Sequence, residues 1–225
     1  MLLQTLSLSS YFQEMWEKLK EIDPILLSAT IIIAATIVVV FIVLNKKTGG
    51  LKWDTRMITY GAVCIALSFI LSYIRLWKMP NGGSVTAASM LPMLLYGYMT
   101  GPLWGTVAGI AYSVLQCMQD PYFLSIPQFF FDYIFPFLAI SALSGVFRTG
   151  KKPLDIYLGF TLAIVVRYAC HVFAGIVFWA DSAPYNPILY SFAYNSFVFV
   201  DAIPCYILAS IPLIQKLFKR MPKTK

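Results

Sequence analysis

ILLSATIIIAATIVVVFIVL, residues 25–44, runs for twenty positions without a charged side chain. Wound as a helix, such a run reaches about 30 Å, the thickness of a bilayer's hydrocarbon core. The stretch therefore reads as a transmembrane helix. The segment before it sets Glu14, Glu17, Glu21 and Asp23 against Lys18 and Lys20, no small-residue cleavage pattern follows, and Lys46 and Lys47 act as a stop. A cleaved signal peptide is excluded on those grounds. Working outward, hydrophobic windows recur near residues 57–77, 86–100, 102–119, 127–147, 156–179 and 188–215. With 59% hydrophobic and 12% charged residues and a mean hydropathy of +0.74, the chain is far more apolar than a soluble domain of its size. The expected fold is all-α and polytopic: a six-helix bundle plus one extra N-terminal transmembrane helix, seven spans in all. Residues 1–24 form an extracellular tail, 25–50 the additional helix and a cytoplasmic linker, and 51–225 the six-helix membrane domain.

Lysine and arginine accumulate in cytoplasmic loops, and their placement sets the orientation. If the first span ends inside, the inner segments hold twelve basic residues, among them Lys46, Lys47, Arg148, Lys151, Lys152 and Arg220. The outer segments hold four: Lys18, Lys20, Arg75 and Lys78. The amino terminus is expected outside and the carboxyl terminus inside. The net charge of +7 is thereby explained by topology, which leaves no case for a nucleic-acid partner.

Three features resemble sites and are not. Residues 145–152, GVFRTGKK, match a phosphate loop except for the Ser or Thr that holds magnesium, and they end a membrane helix where the motif should follow a strand. Gly97, Gly101, Gly105 and Gly109 form a small-x-x-x-small series that implies close packing of the third and fourth spans. Cys64, Cys117, Cys170 and Cys205 are scattered through apolar runs without paired spacing, so they read as small core residues.

The functional signal lies in residues 120–133, DPYFLSIPQFFFDY, where an aromatic, proline-bearing loop opens a helix carrying Asp132. A carboxylate inside an apolar span costs about 2.5–3.5 kcal/mol at the helix centre, so it has a partner or a purpose. In the sixth span Arg167, His171, Gly175 and Trp179 fall four apart, on one stripe of the helix. Counting roughly 1.5 Å per residue from the outer ends, His171, Asp132 and Asn195 lie roughly 12, 7 and 10 Å deep. Gly175 leaves room beside His171 for a flat ligand or for a neighbouring helix. Arg167 and Asp201 share a greater depth and are expected to pair as a structural bridge, which leaves Asp132 free for a ligand. Tyr112, Tyr122, Tyr133, Trp179 and Tyr190 cluster toward the outer face, either as an interfacial belt or as a cage for a cationic ring. His171 is the only histidine, so a histidine metal cluster is excluded and no cofactor is expected. The scarcity of outer basic residues near this pocket argues against a phosphate on the ligand.

Residues from about 55 to 220 resemble the thiamine-specific substrate-binding subunits, or S components, of energy-coupling-factor vitamin transporters (the ThiT/YuaJ family). The resemblance is carried by MPNGGSVTAASMLP at 79–92, QFFFDY at 128–133, RYACHVFAGIVFW at 167–179 and PILYSFAYN at 187–195. It implies a compact six-helix domain that binds thiamine at the outer face, performs no chemistry, and depends on a membrane coupling subunit and two ATPases. It implies that Asp132 contacts the aminopyrimidine, that His171 and Trp179 flank the thiazolium, and that Tyr112, Tyr122, Tyr133, Gly175, Tyr190 and Asn195 complete the pocket. Ala62 and Ala66 match a small-residue pattern used against the coupling subunit, although they could also pack inside the bundle. Some members carry Glu in place of Asp132 and Trp in place of Tyr112, and Trp77 is the nearest counterpart of a loop tryptophan found in those members. The extra helix lies outside the resemblance. An S component for another vitamin such as riboflavin, and an intramembrane enzyme using His171 and Asp132 as acid and base, are the alternative readings.

Overall fold

A computed structural model describes residues 23–47, 49–52, 54–79, 83–119, 125–147, 154–212 and 214. Helix α1, Pro24–Lys47, is apolar on every side, and only 6% of its span is buried. Thr30 is its buried residue, and Ala34 and Ile37 rest on an aromatic cluster of the main bundle. Most of its surface is therefore left for lipid, as a helix apolar all round requires. Helix α2, Thr55–Tyr73, is capped by Asp54, which accepts a 2.8 Å hydrogen bond from the Arg56 amide. Met57, Gly61, Ser68 and Ser72 face the bundle, while Ile58, Val63, Leu67 and Ile70 are exposed.

Between α2 and the next helix the backbone forms a short hairpin, β1 (Arg75–Lys78) with β2 (Ser84–Thr86), antiparallel, with Arg75 opposite Thr86 and Lys78 opposite Ser84. Hydropathy windows carry no signal for so short a pair. A physical need for it exists nonetheless, because backbone lying over a buried site must satisfy its own polar groups.

Helix α3, Leu91–Thr100, is ten residues long and buried except at Leu95. At about 1.5 Å per residue it reaches only half the hydrocarbon core. Gly101, with φ of 89°, turns the chain directly into α4, Pro102–Gln119. Five helices have the length and composition to cross a membrane: α1, α2, α5 (Ile126–Leu143), α6 (Leu154–Phe178) and α7 (Pro187–Ser210). Of the seven expected spans, α3 and α4 are not among these five, since α3 is too short and α4 insufficiently apolar. A helix enclosed by protein has no hydrocarbon thickness to match.

The glycines of α3 and α4 do pack closely, but against α5. A Cβ at Gly97 or Gly105 would strike the Ser141 backbone, and one at Gly109 would strike Ser141 and Leu138. Ser141 is fully buried and its hydroxyl donates to the Gly105 carbonyl at 2.7 Å. Small residues let the backbones approach, and the hydroxyl bonds across the seam. Of residues 145–152, those from 148 onward lie outside the described residues, as do Lys18, Lys20 and the basic residues from 216 to the end.

Candidate ligand-binding site

Helix α5 is where local sequence shapes the site. Ser125 caps it, accepting from the Gln128 amide, and Pro127 occupies its first turn. From Phe130 to Ile134 the helix widens to π geometry, with the Phe135 amide bonded to the Phe130 carbonyl five residues back. Pro136 accounts for the widening: it has no N–H to give the preceding turn, and its ring crowds the carbonyl four residues earlier, that of Asp132. The wide turn has Asp132 at its middle. Such π segments recur at functional sites because they re-aim a side chain without ending the helix.

Asp132 faces a cavity of about 220 Å³ at one end of the bundle. Its Oδ2 accepts from Gln128 Nε2 at 3.2 Å and from Trp179 Nε1 at 3.3 Å. His171 Nδ1 stands 3.7 Å from Oδ1, beyond hydrogen-bond distance, and His171 Nε2 is buried with no partner among the described residues. The Asp132 side chain retains 19% exposure. Chemically the arrangement is a carboxylate held by two donors, with an imidazole and an indole beside it. It can accept hydrogen bonds from an amine-bearing or cationic ring.

The other walls come from the same end of the bundle: Ser72 closing α2, Ser84 and Thr86 of the hairpin, Gln116 and Gln119 closing α4, and Tyr190 and Tyr194 opening α7. Ser72 Oγ lies 2.7 Å from Gln119 Oε1, and Gln116 Nε2 donates to Ser72 Oγ at 3.1 Å, forming a neutral polar wall. Asp132, His171, Trp179, Tyr133, Gly175, Tyr190 and Asn195 all line this one cavity. Asn195 Nδ2 donates to the His171 carbonyl at 3.2 Å and to the Ser191 carbonyl at 2.9 Å, so it also ties α7 to α6.

Several expected residues stand elsewhere or act differently. Tyr112 is 1% exposed, edge-on to Phe137 at 5.3 Å between centroids, and does not line the cavity. Tyr122 lies outside the described residues. Gly175 lines the cavity and also serves helix packing, because a Cβ there would fall on Ser191 Oγ. Trp77 is 68% exposed on β1, away from the cavity. Ala62 and Ala66 are exposed on the outer face of α2, so they do not pack inside the bundle.

The expected Arg167–Asp201 bridge is also revised. Among the described residues no salt bridge joins the two. Asp201 Oδ1 instead accepts from the Thr86 amide at 2.7 Å and from Thr86 Oγ1 at 2.8 Å, and the Arg167 guanidinium lies 4.8 Å from the Phe137 ring centroid. The hairpin claims the carboxylate before the arginine reaches it. Arg75 and Arg167 both line the cavity, which overturns the expectation that basic residues are lacking there. Gln128 was missed by the sequence reading although it is fully buried against Asp132. Its signal was available, since it sits one helical turn before the carboxylate.

A family model described as "Thiamine transporter protein (Thia_YuaJ)" matches residues 58–221. The chain is 30% identical over 177 residues to a Bacillus subtilis (strain 168) protein named thiamine transporter ThiT, covering 69% of this chain and 91% of that protein. In fold it is similar to the solved structure of ThiT from Listeria monocytogenes, with a TM-score of 0.56 and 24% identity over 75% of this chain and 96% of that one. The matched region begins after α1, which leaves that helix as an addition to the shared domain. The extent of the family match and the agreement of the relatives establish that this multi-pass membrane chain belongs to the thiamine transporter protein (Thia_YuaJ) family, non-catalytic S components of energy-coupling-factor vitamin uptake.

Proposed function

We propose that the chain captures thiamine from outside the cell in the cavity beside Asp132 and passes it on with the help of energising partners. The single observation that carries this reading is the Asp132 carboxylate, held by Gln128 and Trp179 with His171 alongside, in a cavity with aromatic side chains in its walls. An aminopyrimidine offers N–H donors to such a carboxylate, and a thiazolium offers a positive ring to the imidazole and indole faces. Tyr133 and Tyr190 border the same volume. The name thiamine transporter, borne by the family and the Bacillus subtilis relative, supports the choice of ligand.

In this reading α3 and α4 complete a six-helix domain with α2, α5, α6 and α7, and α1 is an extra span. The amino terminus lies outside and the carboxyl terminus inside, so the cavity opens outward. A membrane coupling subunit and two ATPases supply the energy, and the exposed Ala62 and Ala66 let the coupling subunit approach α2 closely. Calorimetry or tryptophan fluorescence on the purified chain tests the ligand. Thiamine binding at roughly nanomolar concentration is expected. Riboflavin or another vitamin binding in that range, with thiamine silent at roughly micromolar concentration, would overturn it.

A further inference from the structure

The hairpin between α2 and α3 has two sides of opposite character. Strand β2 meets the bundle: Thr86 bonds to Asp201 of α7, and Ser84 and Thr86 line the cavity. Strand β1 is the outer one. Its Arg75 and Lys78 stand opposite Thr86 and Ser84, so three steps on β1 answer two on β2, and the register shifts between Arg75 and Trp77. A bulge of this kind breaks the alternation that would send one of any two neighbours inward. Leu76 and Trp77 accordingly both face outward, 63% and 68% exposed.

What covers this pair follows from where the strand begins. Helix α2 ends at Tyr73 and β1 starts at Arg75, so the strand leaves directly from the helix. Along α2 the side chains of Val63, Leu67 and Ile70 are exposed, and in a membrane chain such a side meets lipid. Tyr73 and Ile74 carry the exposed series to the end of the helix, and Leu76 and Trp77 carry it beyond. Indole and phenol rings settle where hydrocarbon gives way to headgroups, because each has an apolar body and a polar tip. The charge fits the same layer. Lys78 is exposed next to Trp77, and no Asp or Glu occurs from residue 55 to 119. An ammonium on a four-carbon stem there reaches phosphates while the stem stays with its apolar neighbours.

We propose that the outward side of β1, from Tyr73 to Lys78, is a lipid-binding edge that seats the hairpin in the headgroup layer at the cavity end of the bundle. Leu76 and Trp77 enter the acyl boundary, and Lys78 holds an anionic phospholipid phosphate. The hairpin is thereby fixed from two sides, by α7 through Thr86 and by the bilayer through Trp77. Neither contact depends on which ligand the cavity takes.

The test is spin-label accessibility on the full chain, with the four native cysteines replaced by alanine, in bilayers of mixed phosphatidylcholine and phosphatidylglycerol. A nitroxide is placed in turn at Trp77→Cys, at Ile70→Cys on the lipid side of α2, and at Tyr185→Cys in the exposed connection after α6. Oxygen concentrates in lipid and a nickel chelate stays in water, so the ratio of their collision rates reports immersion. The ratio at position 77 is expected to exceed that at 185 by at least about threefold and to approach that at 70. A ratio at 77 equal to that at 185 overturns the lipid edge. Dipolar broadening between labels at 77 would mean that a second copy covers the strand, and overturns it equally. Lys78→Gln, or omission of phosphatidylglycerol, should lower the ratio at 77 by at least about twofold, and an unchanged ratio overturns the phosphate contact. With the native cysteines in place, lipids brominated near the headgroups should quench the wild type more than Trp77→Phe, whereas equal quenching overturns the seating of Trp77.

Discussion

Asp132 carries the heaviest chemical demand of any side chain in the bundle. Gln128 and Trp179 each donate to one of its oxygens, and the other oxygen faces the cavity beside His171. Replacing it by Asn preserves shape and an acceptor but removes the charge and turns one acceptor into a donor. Thiamine affinity is expected to fall at least about tenfold in Asp132→Asn, measured by calorimetry with the fold checked by thermal unfolding. Unchanged affinity would remove Asp132 from the site. At this scale the sequence was a good guide wherever a polar residue was out of place in an apolar span: Asp132, His171 and Asn195 all come to one cavity. It failed for Tyr112, whose aromatic ring is as suited to a core as to a pocket, and nothing in a single sequence separates the two. It also failed for the partner of Asp201, because Thr86 lies in a hairpin 115 positions away.

Among the elements, α5 bears the most unusual geometry. The π turn at Phe130–Ile134 holds one residue more than an α turn, and it is linked to Pro136 just beyond it. Pro136→Ala restores the missing donor and lets the helix tighten into regular α geometry. The residues before the bulge would then rotate by about 100° relative to those after it, the angle of one residue. Asp132 and Gln128 should leave their present aim, so thiamine affinity is expected to drop by about tenfold or more while the helix itself becomes no less stable. Binding assays paired with thermal unfolding separate the two effects. Retained affinity would show that the π turn does not aim Asp132. The prolines were visible in the sequence, but the widened turn was not, because a proline in a helix can also be met by a kink or tolerated inside a continuous helix, as Pro204 is in the second half of α7.

For the whole molecule, the division between α1 and the remaining helices and the orientation in the membrane are both open to test. Helix α1 touches the bundle through Thr30, Ala34 and Ile37, against a cluster that includes Phe131 and Phe135 of α5. Deleting residues 1–50 is expected to leave thiamine affinity within about twofold of the full chain, because so little of α1 is buried and the cavity draws no residue from it. A larger loss would mean that α1 braces the π turn. For orientation, Val146→Cys, in the connection before α6, and Tyr185→Cys, in the connection after it, stand at exposed positions. With the four native cysteines replaced, a membrane-impermeant maleimide applied to intact cells should label position 185 and spare 146. The reverse pattern would invert the topology.

The sequence by itself determined that this chain lives in a bilayer, that its helices are apolar, and which few polar residues had to be accounted for. Those follow from local composition, since a bilayer tests each segment's hydrophobicity almost independently of its neighbours. It also showed that Gly97, Gly105 and Gly109 mark close packing, though not against which helix. Only the tertiary structure decided that they receive α5, that α3 is a buried half-length helix, and that Gly175 admits Ser191. It alone set Asp201 on Thr86 and left Arg167 facing the cavity. The physical reason is common to all of these. Each is a choice between partners of equal chemical merit, and proximity across the bundle, fixed by packing and not by any local pattern, makes the choice.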